Sequence, residues 1–334
     1  MGAAGQCARS RFPTQEGPMD HPPIDYPLGP FTPSPANPVL RPGPGGWESS
    51  NVYNPAAIVH DGRMVLLYRA HADDIVSSIG FALSCDGLNF ERDAEPVLVP
   101  EHPYEAHGCE DPRVVKIGDT FYLTYTGWDR ATARLCLATS TDLRHWKKHG
   151  PILPGLNTFA GLRETPSEEW SKGGVILETP VDGRYLMYVG EGNVYLAESE
   201  DLLHWRLVDP APVLVPRPGT FMGDLVETGP QPLLTRTGHI LLVHNSAVHL
   251  PGGGVYYACG QILFEAARPT VPVAAMLEPW LEPTTDADRH GLVDNVTFVE
   301  GLVWFRDTWF AYFGQSDTTV GVATYRPKLP EGER

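Results

Sequence analysis

Apolar residues in this chain come in short runs, each broken by a few polar residues and answered by a second run. The pattern appears five times, over 54–69, 111–127, 174–190, 229–244 and 300–314. Tight turns such as Asp61-Gly62 and Asp182-Gly183 sit between paired runs, so each unit reads as a β-hairpin. A second marker keeps the same beat: Pro38-Val-Leu, Pro96-Val-Leu, Pro151-Ile-Leu, Pro212-Val-Leu and Pro279-Trp-Leu. A third, Ser-x-Asp, closes the first three units at Asp86, Asp142 and Asp201, twice continuing to a Trp, Trp146 and Trp205. Three markers in one order define a repeat, and a repeat of short strands at this period predicts a propeller of about four strands per blade. Five units predict an all-β, five-bladed β-propeller. Because such a ring closes on itself, residues 35–326 form one domain. Residues 1–34 read as a flexible Pro-rich leader and 327–334 as a tail. The Trp of the Ser-x-Asp-Leu-x-x-Trp element is assigned to packing between blades.

Composition agrees with this picture. No long helical-period segment is found, and 34 Gly and 33 Pro suit many strands joined by turns. The formal net charge of −16 argues against a nucleic-acid partner, which would need a basic face. No apolar run approaches membrane-spanning length, and the first residues lack the apolar core of a signal peptide, so a cytoplasmic location without membrane association is expected. Five widely spaced cysteines with no Cys-x-x-Cys pair point to reduced thiols rather than a disulfide framework, and no metal-ligand spacing is evident.

The densest chemistry lies at His107-Gly-Cys-Glu110-Asp111-Pro-Arg113, just ahead of an apolar strand-like run. Pro112 is expected to hold Asp111 in extended geometry and so aim both acids. In a propeller, the inner strand of each blade starts near the axis, and its entrance residues face a common funnel. The residues placed there are Asn54 and Arg69 from the first unit and Glu110, Asp111, Arg113 and Arg134 from the second. The third supplies Lys172 and Glu191, the fourth Asp224, Glu227 and His244, and the fifth Asn295, Glu300 and Asp317. Mixed acids and cations around one axis suit a polyhydroxy ligand and proton transfer to it, with Trp128 the aromatic candidate for sugar stacking. Inverting glycoside cleavage needs an acid and a base about 6.5–9.5 Å apart, a gap that different blades can span. Several of these residues also have a plain structural reading. Arg134 could be a blade salt bridge, Glu110 a partner of Arg113, and Glu191 and Asp317 turn acids.

The Gly-x-Glu-Asp-Pro-Arg run at 108–113, together with Ser171-Lys-Gly-Gly-Val, Glu227-Thr-Gly-Pro-Gln-Pro, Tyr257-Ala-Cys-Gly-Gln-Ile-Leu-Phe and Asn295-Val-Thr-Phe-Val-Glu-Gly, resembles glycoside hydrolase family 130 over about residues 38–326. The resemblance implies action on β-mannosides, as an inverting phosphorylase or as a β-1,2-mannosidase that uses water. It implies a general-acid role for Asp111, with the proton passing through a sugar hydroxyl. Phosphorolysis would require inorganic phosphate as co-substrate, held here by Arg134, Lys172 and His244. Against it, Glu227 and Glu300 are acids that would repel a dianion and suit activation of water. Hydrolysis of an oligosaccharide with a Glu base, without a cofactor, is therefore expected. Phosphorolysis, an arabinan- or xylan-type five-bladed glycosidase, and a carbohydrate-binding propeller without turnover are the alternatives. Absence of Gly-x-Ser-x-Gly, a Walker loop and His-Glu-x-x-His removes support for serine hydrolase, nucleotidase and zinc protease classes.

Overall fold

The computed structural model describes residues 24–328. Five antiparallel sheets stand around one axis, in sequence order, as the repeat predicts. Blade one runs outward through Asn51–His60, Arg63–His71, Ser78–Ser84 and Glu91–Arg92. Blade two follows with Gly108–Ile117, Thr120–Trp128, Ala133–Ser140 and Lys147–Pro151. Blade three is Gly174–Ile176, Tyr185–Val189, Tyr195–Ser199 and Arg206–Leu207. Blade four is built from Leu225–Thr228, His239–His249, Val255–Glu265 and Arg268–Ala275. It gains a short inner strand, Glu191–Gly192, and a side strand, Leu233–Leu234. The inner strand of this blade ends before Gly229, where the sequence pattern starts it. Pro230 and Pro232 bring no amide hydrogens, so the ladder cannot run through them.

Blade five closes the ring. Its strands Thr297–Phe305, Thr308–Gln315 and Thr319–Tyr325 are completed on the outside by Thr32–Pro33 from the other end of the chain. The leader boundary at residue 34 is thereby corrected. Ile24, Leu28 and Phe31 are buried in the cluster between blades four and five, because the last blade has no outer strand of its own. The rest of that leader and most of the tail lie outside the described residues.

The core is a set of interblade seams, which follows from blades that each bury both faces. Ile58, Phe81 and Leu123 fill the seam between blades one and two, with Trp146 packed against them. Leu137, Met187 and Trp205 do the same between blades two and three. Ser140 and Asp142, and likewise Ser199 and Asp201, cap their turns through side-chain bonds to backbone amides, which presents each Trp to its seam. Blade one has the same turn at Ser84 and Asp86, with Phe90 in the aromatic place. Cys109, Cys136 and Cys259 are free and buried, as expected, whereas Cys85 is disulfide-bonded, contrary to reduced thiols throughout. Among the described residues no helix is long and apolar enough to cross a membrane.

One side chain seals the closure from within. Gln261, fully buried on blade four, donates from Nε2 to the Leu28 carbonyl and accepts from the Leu28 amide, both at 2.8 Å. It stands in for a β-partner. Gln261→Ala should leave both backbone groups unpaired and lower stability by about 2–4 kcal/mol. Denaturant unfolding reads this directly, and an unmoved midpoint would show that the N-terminal segment adds nothing to closure.

Candidate active site

At the axial ends of the inner strands, one knot of charge joins all five blades. Asp111 lies where the blade-two ladder slips between Glu110 and Arg113, and it adopts φ +49°. Extended geometry is therefore wrong for this residue. A Pro disfavours right-handed helical backbone in the residue before it, and the bulge takes the left-handed solution, which Asp tolerates. Asn54, also before a Pro and also at a ladder slip, has φ +46° in blade one. The two bulges turn their side chains toward each other, and Asn54 Nδ2 donates to Asp111 Oδ1 at 2.9 Å. Gly314 makes room: a Cβ there would stand 2.4 Å from Asn54 Oδ1.

Arg69 donates to Asp111 at 3.0 Å and to Glu110 at 2.7 Å, while Lys172 Nζ stands 3.3 Å from the other Asp111 oxygen. Arg113 is enclosed. It donates to the carbonyls of Asp111, Thr228 and Gly229 and pairs with Glu300 at 2.9 Å and, more loosely, with Glu227 at 3.7 Å. Glu191 and Glu227 are directly opposed residues of adjacent strands, so their side chains share one face. Asp317, also in left-handed backbone, interacts with Arg69, Asp111 and Lys172 from blade five.

These contacts set the protons. Burial alone would raise the Asp111 carboxyl, but Arg69, Lys172 and Arg113 hold it well below the usual carboxylate range. Glu227 goes the other way. Burial first, then the Glu191 carboxylate, push it up to about 8. Burial likewise lifts Asp317 to about 6, despite Arg69, and raises Glu300 well above the ordinary glutamate value. Lys172 is raised well above normal because Glu191 and Asp111 outweigh its burial. In the ligand-free site, then, Asp111 carries charge and Glu227 carries a proton.

Most of the residues expected from sequence meet here: Asn54, Arg69, Glu110, Asp111, Arg113, Lys172, Glu191, Glu227, Glu300 and Asp317. Others do not join the knot. Arg134 is held between Asp129 at 2.7 Å and Glu169 at 3.0 Å, the salt-bridge alternative. His244 is buried inside blade four, stacked on Phe221, with its Nδ1 at Ser246. Burial, then Arg217, lowers it to about 4, so it is neutral at pH 7. Asp224 is exposed and caps the His249 amide. Asn295 accepts the Tyr257 amide through its carbonyl. Trp128 packs edge-on against Trp170, 5.6 Å between ring centres.

Residues that the sequence reading left out also belong here. Tyr53 lies under the Arg69 guanidinium at 4.8 Å, and Tyr257 feels Glu227, Glu191 and Lys172. Trp170 donates to Glu191 at 3.0 Å. Tyr257 opens a quoted motif and Tyr53 precedes Asn54-Pro55, so position offered a signal for both; Trp170 lies on a connector with no repeat to mark it.

The fold and site define a propeller enzyme of glycoside chemistry. Residues 40–329 match the family model Glyco_hydro_130, described as beta-1,4-mannooligosaccharide phosphorylase. The chain is 34% identical over 303 residues to a 1,2-beta-oligomannan phosphorylase of Thermoanaerobacter sp. (strain X514), covering 87% of this chain and 95% of that one. A beta-1,2-mannobiose phosphorylase of the same organism is 33% identical, covering 83% and 90%. Among solved structures, a member of the GH130 family of mannoside phosphorylases, from work describing glycoside hydrolases in it that target beta-1,2 mannosidic linkages in Candida mannan, superposes with a TM-score of 0.82. Its identity is 35%, covering 92% of this chain and 96% of that chain. A glycosyl hydrolase from Bacteroides ovatus superposes at 0.80, with 34% identity and coverage of 89% and 93%. This chain belongs to glycoside hydrolase family 130 and is a glycoside-active enzyme.

A buried carboxyl raised from the ordinary glutamate range to about 8 binds a proton in the folded state that the unfolded chain has released. Across that window stability falls as pH rises. Glu227→Gln should flatten this part of the stability–pH curve, as read by thermal melts between about pH 5 and 8. An unchanged slope would place the proton elsewhere.

Proposed function

We propose that the enzyme hydrolyses β-1,2-linked mannosides with inversion, water being the acceptor. The reading rests on one observation: every cation in the knot already faces an acidic side chain. Arg69 meets Glu110 and Asp111, Lys172 meets Asp111, and Arg113 meets Glu300 and Glu227. A phosphate dianion brought here would have to displace a carboxyl group from Arg69, Lys172 or Arg113, and the ionised Asp111 would repel it, an effect that low dielectric magnifies. Of the three residues expected to hold phosphate, Arg134 is already paired and His244 is neutral. The same carboxylates suit an attacking water. The family and the β-1,2 relatives supply the sugar and linkage.

Asp111 is the general acid in this reading, either directly or through a sugar hydroxyl, although it is ionised in the ligand-free site. Substrate hydroxyls that take hydrogen bonds from Arg69 and Lys172 weaken their hold on Asp111 and let it gain the proton. Binding and loading of the acid are then one event. The base comes from the carboxylates opposite. Glu300 has no exposed surface and is set against Arg113, which leaves the Glu191–Glu227 pair.

The deciding assay supplies β-1,2-mannobiose with and without inorganic phosphate and identifies the products. Free mannose at equal rates in both is expected; mannose 1-phosphate formed only with phosphate would establish the phosphorolysis that the curated relatives perform. Asp111→Asn should lower kcat about 10²–10⁴-fold, the usual worth of a general acid. Calorimetric binding of a non-cleavable mannoside in buffers of different ionisation enthalpy should show net proton uptake. Binding without proton uptake would sink the coupled-loading step.

A further inference from the structure

The connector between blades two and three, residues 152–173, is much longer than a turn between neighbours requires, and its contacts have a common destination. It closes on itself first. The Trp170 amide donates to the Leu156 carbonyl at 2.9 Å, the Thr158 amide to the Trp170 carbonyl at 2.8 Å, and Asn157 Nδ2 to Thr165 Oγ1 at 2.9 Å. It is then pinned to blade two, because Glu169 takes both Arg134 Nε at 3.0 Å and the Gly155 amide at 3.1 Å. The charge of Arg134 is spent on this anchor.

The inner end of the loop grips Glu191 twice. Trp170 Nε1 donates to the Glu191 carboxylate at 3.0 Å, and Thr158 Oγ1 donates to the Glu191 carbonyl at 2.6 Å. Thr158 is fixed in turn, since the backbone amide and side-chain Nδ2 of Asn193 both donate to its carbonyl at 3.0 Å. Phe159 fits beneath, against Trp170 and over Gly192, where φ is +96° and a Cβ would stand 2.8 Å from the ring. Only glycine satisfies both the backbone and the ring. The other groups facing Glu191 are Lys172, Glu110, Glu227 and Tyr257. Glu191 is half-buried, whereas Glu227 and Glu300 are buried, so it is the carboxylate of this side that water can reach.

We infer that Glu191 is the general base of this enzyme and that the connector holds it for that task, with Trp170 and Thr158 as positioning residues. The inference rests on the hydrolytic reading above. In the step, Glu191 takes a proton from water as the water oxygen bonds to the anomeric carbon. The bond from that carbon to the leaving oxygen breaks on the opposite face, and that oxygen takes the proton from Asp111. One proton enters the protein and one leaves. A donor fixed on one carboxylate oxygen leaves the other free for water and limits the rotation that would turn it away.

The test uses the full chain and β-1,2-mannobiose in phosphate-free buffer, with thermal midpoints as the fold control. Glu191→Gln should lower kcat about 10²–10⁴-fold. Trp170→Phe keeps a ring against Trp128 and Phe159 but removes the donor. It should lower kcat about tenfold or more, the worth of a hydrogen bond to a charged group, and leave KM little changed. Thr158→Val should lower kcat in the same way, and Thr158→Ser, which keeps the hydroxyl, should restore it. Wild-type turnover by Glu191→Gln would overturn the base assignment and leave hydrolysis standing. A Trp170→Phe effect on KM alone would make that ring a sugar contact instead of a positioning group. Failure of Thr158→Ser to recover what Thr158→Val loses would make the Thr158 contribution merely structural. Turnover seen only after phosphate is added would instead sink the hydrolytic reading on which the inference rests.

Discussion

The constraint on which this structure turns is the burial of Arg113 at the propeller axis. Its guanidinium has almost no exposed surface, yet it cannot lose its charge, so it must be fully paired. It reaches from blade two to two carbonyls of blade four and to Glu300 of blade five. Three blades are thus tied at one point by a group that none of them can release cheaply. Removing one partner of such a pair typically costs about 3–5 kcal/mol, because the remaining charge is stranded. Blade spacing around the axis follows from that knot as much as from the apolar seams outside it.

The same burial that makes Arg113 structural makes its neighbours chemical. Carboxyls crowded into a dry funnel cannot all ionise, so the cations decide which do. Asp111, with three cations at hand, is ionised; Glu227, beside Glu191, keeps its proton. Carboxyls with their proton affinities driven apart are what acid–base chemistry requires. Bulges at Asn54 and Asp111 bring these groups together by turning side chains out of the strand alternation and into the funnel.

The N-terminal segment and the connector share a logic. Each lies outside the repeating hairpins, and each completes something that the repeats leave open. Residues 24–33 finish blade five, and residues 152–173 wrap one carboxylate of the funnel. Repetition builds the frame, and the departures from it fit that frame to one reaction.

The five hairpins, their turns and the interblade Trp residues were legible in the amino-acid sequence because each depends on neighbours a few positions away: an Asp-Gly turn, a Ser-x-Asp cap, an apolar run. Since a repeat implies a ring and a ring has an axis, the convergence of Arg69, Asp111, Arg113, Lys172 and Glu227 was legible too. What the sequence could not determine is which groups touch. Arg134 and Lys172 look alike along the chain, yet one is held between Asp129 and Glu169 while the other faces Asp111. His244 reads as a ligand until its burial inside blade four shows it neutral. The left-handed backbone of Asp111, the use of residues 24–33 in closure and the reach of Trp170 to Glu191 are also tertiary. Each depends on distances between segments far apart in the chain, and proton positions depend on burial, which no local pattern encodes.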